Sequence, residues 1–290
     1  MQSDLQQVAA VRALRANDFR IVSGNPTFSE TSKIHLNQQI DLSGVPSTDN
    51  IPANFFQDIH VRRAFNAAVD RQAIVQTARS GQATVSKGPI PPTAFGFNSS
   101  VPAGNLDPAK VEAELRLAIA PDSQSWWDKG FRLTAITIAG FSAYSAMLLN
   151  LKDNLESINP RIEIDVQELD LPAFFQKWVT YGYAVMATTM YPEYGDPHTW
   201  LGLEATSFGF ISKFMGVPDT LDALVASQLT ASDPAERARI IGEIQGRLYD
   251  LAWYVWIDYT LALDASAPWV KGYYYHPLRA HPPYYALSKA

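Results

Sequence analysis

The chain has 290 residues, a net charge of −6, 47% hydrophobic and 18% charged residues, and no cysteine. Its length allows one large domain or two medium ones, and its hydrophobic content excludes a disordered chain. The acidic balance argues against nucleic-acid binding, and the lack of cysteine excludes disulfides, thiolate metal sites and cysteine nucleophiles without fixing a compartment.

Met1-Gln2-Ser3-Asp4 opens a polar stretch with neither a basic nor an apolar leader region, so no secretory signal is expected within the chain. Residues 4–17 read as a helix and Phe19 to Val22 as a short strand ended by Gly24-Asn25-Pro26. Ser32 to Gln39 alternates as a second strand, with Ile34 and Leu36 facing one way, and residues 41–57 read as loop. Asp58 caps a helix whose Val61, Ala64, Phe65, Ala68 and Val69 form one face; Asp70 caps another, ended by Gly81. A proline-rich loop over 84–106 leads to Asp107-Pro108, the preferred opening of a helix. Phe131 to Ala139 is rich in strand formers, and Tyr144, Met147, Leu148, Leu151 and Leu155 mark a helix ended by Asn159-Pro160. Ile162, Ile164 and Val166 alternate in a strand, followed by a helix over 172–180 and a strand from Tyr183 to Met190. Strand–helix–strand–helix–strand implies right-handed crossovers, hence an α/β fold with a mixed, partly parallel sheet flanked by helices. An irregular segment runs from Tyr191 to Val217, then a helix over 219–229. Asp233-Pro234-Ala235-Glu236 is a capping box for a helix that buries Ile240, Ile241, Ile244, Leu248 and Leu251. Trp253 to Leu263 reads as a strand, and the tail from Ala265 to Ala290 has no helical period. The longest apolar run, Leu251 to Ile257, is far shorter than the ~18 residues that cross a bilayer.

Dinucleotide, P-loop, α/β-hydrolase and zincin signatures are all missing, and no two of the five histidines sit three or four apart. Interest falls instead on Tyr191-Pro192-Glu193-Tyr194-Gly195-Asp196-Pro197-His198-Thr199-Trp200, which directly follows a sheet strand. The C-terminal edge of parallel strands is where such sheets bind ligands. Asp196 is placed to cap a short helix begun by Pro197. Glu193, between Tyr191 and Tyr194 and near Trp200, either stands solvated or meets an organic ammonium through charge pairing and cation–π attraction. A carboxylate-dependent hydrolase using Glu193 and Asp196 is the competing reading.

A run of ordered motifs sharpens this. Phe56-Gln57-Asp58-Ile59-His60-Val61-Arg62-Arg63-Ala64-Phe65-Asn66-Ala67-Ala68-Val69-Asp70-Arg71 resembles the signature of the extracellular solute-binding proteins, family 5, the peptide, oligopeptide and nickel receptors of ABC importers. Pro89-Ile90-Pro91-Pro92, Leu106-Asp107-Pro108-Ala109-Lys110, Tyr194-Gly195-Asp196-Pro197, the helix from Asp233 to Tyr249 and Val270-Lys271-Gly272 follow in family order. The resemblance covers the C-terminal part of such proteins, implying a fragment, a split gene product or an excised domain. It implies a periplasmic-binding-protein-like lobe over 31–262, a remnant of the hinge over 1–30, and a tail over 263–290 returning to a first lobe. It further implies a non-catalytic receptor without cofactor, periplasmic or extracellular and membrane-associated, whose partners are a small solute, an ABC permease and the missing N-terminal lobe. Peptides are the leading solute; a nickel chelate, oligosaccharide or opine are the others. In peptide-binding members a loop aspartate pairs with the ligand's α-ammonium, and Glu193 holds that position here, one methylene longer. Tyr191, Tyr194 and Trp200 would line the cleft, with Pro91 and Pro92 near its rim. Arg62 and Arg63 are expected to pair with acids or flank the core. Trp126 and Trp127 either pack within the lobe or form a patch covered by the missing one, and the Tyr273-Tyr274-Tyr275 run is expected to lie against that missing lobe.

Overall fold

The computed structural model describes residues 20–24, 30–217, 221–260, 262–274 and 284–289, with side chains described for all of these but 20–24 and 262–265. The helix expected over 4–17 lies outside the described residues. Strand β1 (Arg20–Gly24) pairs antiparallel with β8 (Ala262–Ser266), and β9 (Val270–Lys271) with β10 (Ser288–Lys289).

The remaining strands form one six-stranded sheet in the order β3-β7-β2-β6-β4-β5. They are β2 (Thr31–Leu36), β3 (Ala83–Val85), β4 (Phe131–Ile138), β5 (Ile162–Leu169), β6 (Val185–Met190) and β7 (Tyr254–Thr260). β4 runs parallel to both β5 and β6, whereas β2 is antiparallel to its neighbours β6 and β7. The mixed sheet is therefore as expected, with the parallel part confined to the strand–helix–strand unit.

Local sequence accounts for the helices. Asp58 accepts from the N–H of His60 at the start of α1 (Ile59–Ala67), and Asp70 accepts from Ala73 at α2 (Arg71–Thr77). Asp107 caps α3 (Pro108–Leu117), with proline in the first turn. Ser125 caps the single turn α4 (Trp126–Lys129), and α5 (Ser142–Ile158) and α6 (Leu171–Val179) are the two crossovers. α7 (His198–Glu204), α8 (Phe210–Lys213), α9 (Asp222–Thr230) and α10 (Pro234–Leu251) complete the set. Asp233 accepts from Ala235 as expected, but Glu236 turns to Arg239 instead of closing the capping box. No helix among the described residues is long and apolar enough to cross a membrane.

The sheet separates two apolar cores. On one face α1, α3 and α5 pack Val61, Phe65, Val111, Leu115, Leu148 and Leu151 against Ile34 and Leu36. On the other face α6, α7 and α10 pack Phe174, Trp178, Trp200, Ile241 and Ile244 against Met186 and Tyr254. β2 is consequently buried throughout. Its alternation does not separate core from solvent; it divides the two cores, with Lys33 and His35 meeting the aromatic rings of the second. Trp126 belongs to the first core and Trp127 packs on its edge, so the pair is lobe packing. Arg62 is buried beside the core, one of its two expected places, and donates to the carbonyls of Phe56, Gln57 and Leu251. Tyr274 is exposed with its hydroxyl 2.9 Å from that of Tyr285, while Tyr275 lies outside the described residues.

Candidate ligand-binding site

Three chain segments meet at the edge of the sheet where β6 ends. Thr31, the first residue of β2, pairs with Met190 on one side and Tyr259 on the other. The N–H of Thr260 donates to the carbonyl of Glu30, so the entry to β2 and the exit from β7 are bonded side by side. The proline-rich loop is fastened to the same edge: Thr31 Oγ1 donates to the Pro89 carbonyl at 2.9 Å, and Tyr259 Oη to those of Gly88 and Ile90 at 3.0 and 2.8 Å. Pro92 is exposed there, Pro91 buried.

The loop leaving β6 is held from both ends and open in the middle. The Glu193 N–H donates to Thr199 Oγ1 at 2.8 Å, and the Asp196 N–H to the Tyr194 carbonyl at 3.0 Å. Asp196 Oδ1 accepts from the His198 N–H at 2.8 Å, capping the first turn of α7, and from Arg237 Nη2 at 2.7 Å. Burial pulls the Asp196 carboxyl upward, but these two bonds and the Arg237 charge outweigh it and hold it below the ordinary carboxylate value. Between those anchors Glu193 is exposed, flanked by Tyr191 and Tyr194, which are 38% and 43% exposed. An acid between two accessible rings is suited to a cationic group.

Trp200 differs from expectation. It is fully buried in the second core, so it supports the loop from behind and offers no wall to a ligand. An alternating aromatic pattern in an irregular segment cannot tell a ring facing out from one facing in; the two-turn helix α7 decides it. Of the expected site residues, Tyr191, Glu193 and Tyr194 share one exposed surface, and Asp196 serves as its clamp.

Two buried clusters of charged side chains near this surface were not legible in the sequence. Glu30 accepts from the hydroxyls of Thr189 and Tyr191; burial raises its carboxyl above 4.5 against the opposing charge of Arg79. Arg79 in turn donates Nε to Asp258 Oδ2 at 3.0 Å and Nη2 to Ser32 Oγ at 2.7 Å. Further in, Lys33 Nζ donates to Glu204 Oε1, both side chains being fully enclosed. Burial lowers the lysine and raises the glutamate, each opposed by the other's charge. The one available signal was a charge inside a strand, Lys33 in β2 and, among mostly apolar neighbours, Asp258 in β7; their partners lie far away in the chain. Among the described residues no group of His, Asp and Glu is arranged to hold a metal.

Residues 5–210 match the family model of the bacterial extracellular solute-binding proteins, family 5 Middle. The chain is 23% identical over 259 residues to heme-binding protein A of Haemophilus influenzae, covering 88% of this chain and 46% of that protein. Its fold is similar to that of AppA, an oligopeptide-binding protein from Bacillus subtilis in complex with a nonapeptide (TM-score 0.80, 17% identity, 100% of this chain and 55% of that one). It is also similar to DppA, a periplasmic binding protein from Helicobacter pylori in complex with the peptide STSA (TM-score 0.75, 20% identity, 93% and 48%). The chain thus spans about half the length of the relatives it matches. With a match to the family model over residues 5–210, more than half of its length, the chain belongs to the bacterial extracellular solute-binding proteins of family 5.

Proposed function

We propose that this chain forms the ligand-holding lobe of a non-catalytic solute receptor for an ABC importer, and that its solutes are peptides with a free amino terminus. Residues 31–262 would make the lobe, and the β1–β8 ribbon and the tail would run to a second lobe that closes over the solute before delivery to a permease outside the cytoplasm. The observation that carries this reading is the exposed Glu193 between Tyr191 and Tyr194, on a loop fixed at both ends. The carboxylate would pair with the α-ammonium and the rings would flank it. Asp196, kept ionised by Arg237, is a poor proton donor, which weighs against hydrolysis by the Glu193 and Asp196 pair. The peptide complexes of AppA and DppA support a peptide as the solute.

The test is titration calorimetry of the whole chain with trialanine and with N-acetyl-trialanine, beside native mass spectrometry for any solute retained on purification. An exposed ammonium–carboxylate pair contributes about 1 kcal/mol, so Glu193→Ala is expected to weaken trialanine roughly fivefold and acetylation to act likewise. Equal binding of the two peptides, or turnover abolished by Glu193→Gln, would overturn the reading.

A further inference from the structure

The anchor at the C-terminal end of the loop is a closed ring of hydrogen bonds, and its donors and acceptors can be assigned without ambiguity. Arg237 Nε and Nη2 lie 3.1 and 2.9 Å from the Gln228 side-chain oxygen, and Nε is 3.2 Å from its backbone carbonyl. A guanidinium only donates, so the end of Gln228 that faces it is the carbonyl oxygen. The other end, the amide nitrogen, then faces His198 Nδ1 at 3.0 Å. An amide nitrogen also only donates, so Nδ1 must carry a lone pair and the imidazole is neutral, protonated on Nε2. His198 closes the ring through its backbone N–H to Asp196 Oδ1, the atom that Arg237 Nη2 also binds. Gln228 is wholly buried and cannot turn its amide round without setting NH2 against the guanidinium. The Arg237 guanidinium also lies 5.7 Å from the centroid of Phe95, which brings the proline-rich loop into the same assembly.

We propose that His198, in its neutral form with Nδ1 accepting from Gln228, is a positioning residue for the 191–197 loop, and that protonating it opens the ring and loosens the anchor of Glu193. The role at the loop rests on the reading that this loop meets the solute. A protonated ring would point an N–H at the Gln228 N–H, with no acceptor between them. The charged groups facing the imidazole are Asp196 from the loop and Arg237 from α10; α9 contributes the uncharged Gln228. Burial depresses the imidazole most, Asp196 opposes, Arg237 adds to the depression, and the net value is below 6.5. The sign follows: stabilisation from this group is complete above the ordinary histidine value and is lost as pH falls through the lower value of the folded chain. The loop is thereby held at neutral pH and slackened in acid.

The decisive measurement is an NMR pH titration of the full chain, following the His198 ring nitrogens and the backbone amides of residues 193–199. The expected result is an unprotonated Nδ1 at neutral pH and one shared midpoint below 6.5 for ring and loop. His198→Gln should keep the loop signals at their neutral positions throughout, because its side-chain oxygen accepts from Gln228 and does not titrate. Gln228→Glu should invert the requirement. A carboxylate accepts from Arg237 and from Nδ1–H together, so the His198 midpoint should rise by about one pH unit or more. Loop signals that do not follow His198, a step that persists in His198→Gln, or a midpoint unmoved in Gln228→Glu would overturn the proposal. Trialanine binding at pH 7 and pH 5 separates the two readings: failure to bind at either pH overturns the peptide function, while the NMR midpoints decide the role of His198.

Discussion

Lys33→Met tests most directly how the second core holds α7 against the sheet. Lys33 stands in the middle of β2 with its ammonium 5.7 and 5.5 Å from the ring centroids of Tyr254 and Trp256, and Glu204 closes α7. Both side chains have zero exposure; Lys33 bonds Oε1, and Glu204 Oε2 has no hydrogen-bond partner among the described residues. Removing the lysine leaves a buried carboxylate unpaired, which costs roughly 3–5 kcal/mol. Glu204→Leu alone strands the ammonium at a similar cost. The double variant Lys33→Met/Glu204→Leu removes both desolvation penalties and is expected to lie within about 2 kcal/mol of the parent, because an apolar replacement for a buried pair is often neutral or better. The coupling between the two changes should therefore exceed 4 kcal/mol, as a rough figure. Urea titrations followed by tryptophan fluorescence measure all four proteins. The single Lys33→Met variant carries a further signature. Burial raises its Glu204 without the lysine's opposing charge, so the penalty is full above the folded-state value and vanishes below the unfolded 4.5. The variant should recover towards the parent as pH falls to that range. Additive losses in the double variant, or a single loss below about 1 kcal/mol, would refute the account of a buried, mutually dependent pair.

Two further predictions concern backbone geometry and are checked by the same denaturation measurements. Arg62→Leu should cost roughly 2–4 kcal/mol, because it strips the donor from the carbonyls of Phe56, Gln57 and Leu251 near the core. Arg62→Lys should recover part of that. Gly130→Ala should cost at least about 2 kcal/mol, since Gly130 has φ +72° and an added Cβ would stand 2.1 Å from the Arg161 carbonyl oxygen. Parent-like stability in either would show that the chain relaxes at these points.

Features under short-range control are readable from the residues alone. The 3.6-residue period of α5 and α10, the aspartate caps of α1, α2 and α3, and the β-rich runs of β4, β5 and β6 are local patterns, and each element appears where its pattern lies. The ordered motifs over residues 56–272 named the family for the same reason, being strings of neighbouring residues. Tyr191, Glu193 and Tyr194 stood out as candidates because they fall within four residues of one loop. Features that depend on distant partners emerge only once the chain is folded. β3 is three residues inside a loop and exists because β7 offers an edge to pair with. β2 reads as a half-buried strand, yet α7 and the aromatic core cover its second face and make Lys33 and His35 interior residues. Trp200 reads as part of an aromatic cluster, and the packing of α7 turns it inward. The tautomer of His198 is further from the sequence still, for it is imposed by Gln228 and Arg237, 30 and 39 positions away. Propensity and periodicity act between neighbours in the chain; burial, pairing and protonation are set by what surrounds a group in space.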